Sequence, residues 1–248
     1  WASLGGGIGG VLLSFLILLF VSKKFVKPIE ESDRRQKLFI ADASQSLKDP
    51  VTVIGLNNDL AIMKNGESEE GTAISKQVGK LTKIITELNE LAALEKVNEV
   101  PGEIFDFSSL VSLMVNEYAP KFEQAHKQLV FDNLQPGLEF KGDQEQFRHL
   151  FEVILDNAMK YSFDKAELNL TSQEGRIALT LKNEANYELP EGDLDLYFER
   201  FIRGEGLKEA NIPGSGIGLS IARDIIKIYN GRISASGKDK VFTLKIEL

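Results

Sequence analysis

"GSGIGLSIARDIIK" runs from Gly214 to Lys227, and three glycines alternate through it before Leu219 opens an apolar helical period. Glycines let a backbone approach phosphate oxygens closely. A helix N-terminus then directs amide donors and a partial positive charge at them. The run is not a dinucleotide fingerprint, because no strand leads directly into it and no β-α-β unit surrounds it. Upstream, Asp156-Asn157-Ala158-Met159-Lys160-Tyr161 closes another apolar helical stretch. Asn157 and Lys160 fall one turn apart on the same face. An amide oxygen can ligate Mg²⁺ and an ammonium can meet phosphate oxygens, a pairing suited to a nucleoside triphosphate. Each stretch alone has an ordinary reading, as a glycine-rich link or a polar helix end. Together they point to a phosphate site.

Around these two stretches the pattern is mixed α and β from Glu103 onward. Alternation predicts strands at Gln128–Leu134, Ala166–Thr171, Ile177–Lys182, Arg232–Ala235 and Val241–Leu248. Helical periodicity predicts Leu110–Gln124, Gln144–Tyr161 and Ile217–Tyr229. Strands gathered around three helices imply an α+β sandwich with the helices on one sheet face. Val100-Pro101-Gly102 is the natural boundary before it.

Ahead of that boundary, Ile29 to Lys96 reads as two helices joined by Asn65-Gly66-Glu67-Ser68. In the second helix Ile74, Val78, Leu81, Ile85, Leu88 and Ala92 recur at alternating spacings of four and three, an a/d seam. Leu38, Leu47, Val51, Ile54 and Met63 can line a matching stripe on the first. A lone helical hairpin leaves one apolar face open, so pairing with another copy into a four-helix bundle is expected. Pro50, inside the first helix, removes a hydrogen bond and bends it just after Gln45.

The first 22 residues carry no charge, and Val11 to Val21 is almost wholly apolar. A helix of that length spans roughly 30 Å, enough for a bilayer core. Lys23, Lys24 and Lys27 follow, which places the rest of the chain in the cytoplasm by the positive-inside rule. A signal peptide would carry its positive charges before the apolar run instead. Gly5 and Gly9, like Gly6 and Gly10, have small-xxx-small spacing that permits close helix packing. A chain opening on Trp1 rather than Met reads as a fragment. The 248 residues carry a net charge of −8, which argues against a nucleic-acid groove built on overall basicity. With no cysteine there is no disulfide, thiolate site or cysteine nucleophile, and two histidines cannot build a histidine-rich metal site.

Taken in order, these pieces resemble the membrane-bound sensor histidine kinases of two-component signalling, within the GHKL ATPase superfamily. "VKPIEES", "FIADAS…LKDP", "LFEVILDNAMKYS", "YFERFIRGE" and "GSGIGLSIARDIIK" are similar to that family's linker, H box, N box, F box and G2 box. The resemblance covers nearly the whole chain. It implies a transmembrane helix at 1–22 and a juxtamembrane linker at 23–36, with no room for a full HAMP module. A dimerisation and phosphoacceptor-like hairpin at 37–98 and a GHKL-type ATP-binding domain at 103–248 would follow. By the same match Asn157 would hold Mg²⁺, and Lys160 and Arg203 would lie near the phosphates of ATP. Tyr161 would pack by the nucleotide, Arg203 to Pro213 would form a lid, and Gly214, Gly216, Gly218 and Leu219 would cradle the phosphates. The implied partners are a second copy or a related kinase, a response regulator and the lipid bilayer, with no nucleic acid.

The H box departs from the family pattern. Members usually read Ser-His-Glu-Leu-Lys-Thr-Pro, whereas this chain reads Ser44-Gln45-Ser46-Leu47-Lys48-Asp49-Pro50. Gln45 stands where the phosphorylated histidine belongs, and an amide nitrogen has no free lone pair to attack a γ-phosphate. Ser46 replaces the acidic residue that would take the imidazole proton, and Asp49 replaces the threonine expected to help position water. Three changes in one motif read as natural loss rather than a single engineered substitution. His126 and His149 lie off the hairpin, so neither is read as a substitute acceptor.

The nucleotide site departs less. Where the family has Asp-x-Gly-x-Gly, this chain has Asn183-Glu184-Ala185-Asn186-Tyr187, with one extra residue before Leu189-Pro190. If Asn183 faces the adenine amino group, its carbonyl still accepts a hydrogen bond, at a loss on the order of 1 kcal/mol. Val153 takes the place of the first N-box asparagine, and Lys238-Asp239-Lys240 lacks the glycine expected there. Two functions stay open: a signalling protein that binds ATP without phosphorylating itself, or a phosphotransferase using Ser44, Ser46 or a heterodimer partner's histidine. GHKL ATPases of chaperone or DNA-repair type lack the hairpin and the span.

Overall fold

The computed structural model describes residues 27–94, 102–173, 175–209, 212 and 214–248. The expected membrane span at 1–22 lies outside them. Among the described residues no helix is long and apolar enough to cross a membrane. The chain divides into two compact units between Ala92 and Ala93.

The first unit is a hairpin of α1 (Lys27–Asn65) and α2 (Glu69–Leu94). Helix is already established at Lys27, so residues 27–36 of the expected linker are helical. Pro28 in the first turn suits a helix start, since the amide it lacks has no intrahelical partner there. Ser68 caps α2 by accepting a hydrogen bond from the Gly71 amide at 3.0 Å, and Glu69 and Glu70 complement the helix dipole. Asn58 fixes the register of the pair. It is 8% exposed and donates to the Gly71 carbonyl at 2.9 Å and the Ser75 hydroxyl at 2.8 Å.

Val51, Ile85 and Leu91 are buried within the unit. Of the rest of the expected stripe on α1, Leu47 is 51% exposed, Ile54 52% and Met63 82%, while the Leu38 side chain lies outside what is described. On α2, Ile74 and Leu81 are exposed as well. Two antiparallel helices can cover only the faces they turn to each other, so the remaining apolar side chains stay in the open.

The second unit layers helices on one face of a sheet. Its elements are β1 (Glu103–Asp106), α3 (Phe107–Gln124), β2 (Gln128–Leu134), β3 (Glu139–Gly142), α4 (Gln144–Tyr161), β4 (Lys165–Gln173) and β5 (Arg176–Glu184). A short β6 (Gly192–Asp193), a 3₁₀ turn (Asp195–Phe198), α5 (Glu205–Glu209), α6 (Gly218–Ile228), β7 (Arg232–Lys238) and β8 (Val241–Glu247) complete it. The main sheet has six strands in the order β2-β4-β5-β8-β7-β6, and β1 pairs with β3 in a separate ribbon. β2 runs parallel to β4, so the chain crosses over between them through β3 and α4.

Alternation decides the faces. Ala166, Leu168, Leu170, Leu179, Leu181, Leu244 and Ile246 point inward and are at most 3% exposed. Glu167, Asn169, Thr171, Thr180, Lys182, Thr243 and Lys245 occupy the alternate positions, facing away from the helices. α3 and α4 are each opened by an aspartate. Asp106 accepts from the Ser109 amide at 2.9 Å, and Asp143 accepts from the Glu145 amide at 2.9 Å. The Ser109 amide and hydroxyl hold the Asp106 carboxyl below its ordinary pKa. An aromatic cluster seals one end of the layer: Phe147 lies 4.8 Å from Tyr229, 5.1 Å from Phe140 and 5.4 Å from Phe107, centroid to centroid.

Candidate nucleotide site

α4 and α6 run antiparallel, and this sets the geometry of the site. Phe147 near the start of α4 meets Tyr229 just past the end of α6. The last turns of α4 therefore lie beside the first turn of α6. A β-carbon on Gly218 would stand 3.3 Å from Val153 Cγ1 and 3.4 Å from Asn157 Nδ2. Asn157 is thus held against a helix N-terminus, where unpaired amides and the dipole favour anions.

The glycine loop closes on the same helix end. A β-carbon on Gly214 would fall 2.4 Å from the Tyr161 hydroxyl, 3.2 Å from Lys160 Nζ and 3.5 Å from Arg203 Nε. Gly216 has φ +74° and faces the backbone of Phe201 and Ile202, so a side chain there would be both strained and obstructed. The Phe201 amide donates to the Gly216 carbonyl at 2.8 Å. Ser215 accepts from the Ile217 amide at 3.3 Å, and the Ser220 hydroxyl donates back to the Ile217 carbonyl at 2.7 Å. Leu219 sits half-buried in the first turn of α6. Asn157, Lys160, Tyr161, Arg203, Gly214, Gly216 and Gly218, expected together from the sequence, converge here.

Two supports position the α4 end, and neither was legible in the sequence. Lys127, leading into β2, donates to the carbonyls of Met159 at 2.7 Å and Ser162 at 2.6 Å, capping the helix C-terminus. Burial holds its ammonium below the ordinary lysine pKa. Tyr118 of α3 donates to Asp156 Oδ1 at 2.9 Å, one residue before Asn157. Burial, the Asp156 charge and that hydrogen bond push its phenol up. Both contacts join residues distant in sequence, so no local pattern announces them.

The F-box turn is fastened to α6 by two ion pairs. Glu199 meets Arg223 at 2.7 Å and Arg200 meets Asp224 at 3.5 Å. The Arg223 partner lowers the Glu199 pKa, by hydrogen bond first and charge second. Beyond the turn, Arg203 donates to the Ile212 carbonyl, while its Nε is buried without a partner among the described residues. A β-carbon on Gly206 would fall 2.1 Å from the Glu188 carbonyl oxygen, so the α5 segment packs directly on the loop after β5. Residues 210, 211 and 213 of the expected lid lie outside the described residues.

From β5 onward, alternation continues past the strand. Asn183, Ala185, Tyr187 and Leu189 are buried, between exposed Glu184, Asn186 and Glu188. Asn183 is 4% exposed and inward-facing, in register with Ala166 and Phe242, and its Nδ2 has no hydrogen-bond partner among the described residues. Burial raises the Tyr187 phenol, with Tyr161 and Tyr197 adding to the shift. The Ala185 amide donates to the Lys240 carbonyl at 2.8 Å, joining this loop to the β7–β8 turn. In the other unit, Gln45, Ser46 and Asp49 all lie within α1. Ser46 and Asp49 are exposed and Ser44 is fully buried.

No group of three or more His, Cys, Asp or Glu side chains able to hold a metal occurs among the described residues. An Mg²⁺ ion here would lean on the Asn157 amide and complete its shell from phosphate oxygens and water. The donor set suits that role. The glycine cradle and the buried Arg203 Nε beside it, unpartnered among the described residues, suit the phosphates of a nucleotide.

A sheet with helices on one face, a polar amide at the end of an inner helix and a glycine loop opening the next define a class. Residues 142–248 match the histidine kinase-, DNA gyrase B- and HSP90-like ATPase family. Two relatives align with nearly the whole chain. It is 27% identical to the sensor protein DltS of Streptococcus agalactiae serotype III (strain NEM316), covering 97% of this chain and 61% of that protein. It is 29% identical to the signal transduction histidine-protein kinase ArlS of Staphylococcus aureus (strain USA300), over 90% of this chain and 51% of that one. The chain therefore spans between half and two thirds of the length of these curated relatives. In fold it is similar to full-length ShkA, solved in complex with AMPPNP, with a TM-score of 0.68 at 17% identity over 84% of this chain and 44% of that one.

Proposed function

We propose that this chain is the kinase portion of a two-component sensor that binds Mg-ATP and does not phosphorylate itself. The observation that carries the reading is the convergence of Lys160, Tyr161 and Arg203 on Gly214 and of Asn157 on Gly218, the two ends of the glycine loop. Lys160 and Arg203 supply charge for the triphosphate, Asn157 an oxygen for the metal, and the start of α6 its amides. When bound, Mg-ATP supplies a polarised γ-phosphate. The chain binds and orients it but offers no imidazole at position 45 to receive it. The membrane span at 1–22, a cytoplasmic location for the remainder, the domain limits at 37–98 and 103–248, and pairing with a second copy or a related kinase belong to the same proposal. So does a response regulator as partner. Similarity to DltS and ArlS supports these assignments.

Calorimetry with a non-hydrolysable ATP analogue at millimolar concentration tests the reading. Heat of binding should weaken on Mg²⁺ removal. Asn157→Ala should abolish the metal dependence, and Gly216→Val should block binding sterically. Neither heat nor a thermal shift with the native chain would leave a scaffold with an empty pocket.

A second reading, phosphotransfer to another acceptor, finds support in the exposure of Ser46 on α1. Ser44, wholly buried, is a poor acceptor. Alkali-labile label on Ser46, lost in Ser46→Ala, would favour this reading.

A further inference from the structure

We propose that the sheet carries a further site on its far side, for a small phosphorylated polyol, in a hollow over β4 and β5. The hollow encloses about 290 Å³, near the lower end of small-molecule sites. Asn169, Thr171 and Gln173 of β4 line it, with Ala178, Thr180 and Lys182 of β5. Cross-strand pairing explains the depression. Thr171 stands opposite Ala178, whose methyl leaves a gap between the longer side chains on either side. The helices, and with them the glycine loop, belong to the other face, so the proposal does not rest on the nucleotide reading.

A polar outer face is ordinary for an antiparallel sheet, but three features here depart from that pattern. The Oδ1 of Asn169 is buried, with no hydrogen-bond partner among the described residues. Native proteins keep few such acceptors, because each forfeits its hydration, and a ligand hydroxyl would supply the donor. Glu167 faces Lys182 directly across the strands, yet its Oε1 meets Lys165 instead, at 2.5 Å. Lys182 is left with no carboxylate partner among the described residues. Finally, the sequence repeats itself: Thr180-Leu181-Lys182 on β5 pairs with Thr243-Leu244-Lys245 on β8, each threonine opposite the other's lysine. The two lysines are diagonal neighbours on one face, where like charges repel one another and draw an anion between them. A phosphate offers enough oxygens to meet two ammonium groups and a threonine hydroxyl at once, where a carboxylate offers two. No aromatic side chain lines the hollow, so a nucleobase would have nothing to stack on. A phosphate at the lysine end, with hydroxyls reaching Asn169, fits the whole set.

The test measures glycerol 3-phosphate binding to the native full chain by calorimetry, against glycerol and inorganic phosphate. The ester should bind at least about tenfold more tightly than either, since it alone meets both ends. Lys182→Gln should weaken it about tenfold or more by removing a charge-assisted contact. Ala178→Phe, which fills the gap, should abolish binding, and Asn169→Ala should reduce the ester to the affinity of inorganic phosphate. Should Ala178→Phe fail to fold by far-UV circular dichroism, the exposed Lys182→Gln decides alone. Glycerophosphoglycerol, a lipid headgroup without its chains, reads the source: tighter binding than glycerol 3-phosphate supports a lipid, and weaker binding supports a soluble ester. Absence of heat with both esters would overturn the proposal. Binding that survives Lys182→Gln unchanged would overturn it too, since the ester would then sit elsewhere, as at the glycine loop. Inorganic phosphate binding as tightly as glycerol 3-phosphate would remove the polyol.

Discussion

At position 45 the side-chain nitrogen belongs to an amide, so its lone pair is spread into the carbonyl and cannot attack phosphorus. Incubation of the chain with labelled ATP should therefore yield no acid-labile, base-stable label. Gln45→His alone should recover little, because the exposed Ser46 beside it is no base near neutral pH. Strong histidine phosphorylation in that single variant would show that the neighbouring carboxylate is dispensable. Lys127 is the other residue whose removal should be felt at the site. It satisfies two carbonyls where α4 ends, so Lys127→Met should lower stability by about 2 kcal/mol in urea unfolding. Nucleotide affinity should fall with it, since Lys160 and Tyr161 belong to the turn that frays. An unchanged midpoint would mean that water replaces the ammonium without loss.

At the scale of elements, the β7–β8 turn carries the clearest strain. Asp239 and Lys240 have φ of +51° and +61°, the mirror-image turn that joins tightly twisted strands and prefers glycine. Lys240→Gly should stabilise the module by about 1 kcal/mol, or raise its Tm by a few degrees. The backbone bond from Ala185 to the Lys240 carbonyl should persist, and a lowered Tm would place the lysine side chain in an unseen contact. Long elements were legible. Alternation and period marked β2 and α4 at their observed limits, whereas α3 begins at Phe107, three residues before the expected Leu110. The short pieces were not. β1, β3 and β6 owe their pairing to partners far along the chain, and five residues of α5 are too few to show a period. The site was legible in its phosphate half, where glycines and one helix face carry the signal. Its supports at Tyr118 and Lys127 act across the fold, and the burial of Tyr187 follows from loop packing that no local pattern encodes.

Across the whole molecule, two properties follow from what is covered and what is not. Val53, Ile54, Leu56, Leu60, Met63, Ile74 and Leu81 are each more than 40% exposed on the hairpin, a large apolar area for a lone chain. Light scattering of the chain should report a dimer, and Leu81→Asp should dissociate it by placing an unpaired charge in the contact. A monodisperse native monomer would remove the expectation. In the other unit, Tyr118, Tyr187, Tyr197 and Tyr229 all have phenols raised above the ordinary value of 10, chiefly by burial. The native state then keeps protons that the unfolded chain gives up. The associated stability is fully present below pH 10 and is lost as pH rises through the folded values. Phenolate absorbance of these four should appear together with loss of far-UV circular dichroism. Their ionisation in an intact fold would contradict the sign.

The strand order has a consequence for how the chain is made. Of the six strands of the main sheet β8 is synthesised after the other five, yet it stands between β5 and β7 and links them. Until Val241 and the residues after it leave the ribosome, β5 has an open edge and the β6–β7 pair has nothing to join it to the rest. The nascent module therefore waits through most of its own translation with an apolar sheet face unclosed, a natural client for chaperones. A frameshift or stop codon anywhere before Val241 would yield a product that the cell's proteases, rather than its signalling partners, would be the first to meet.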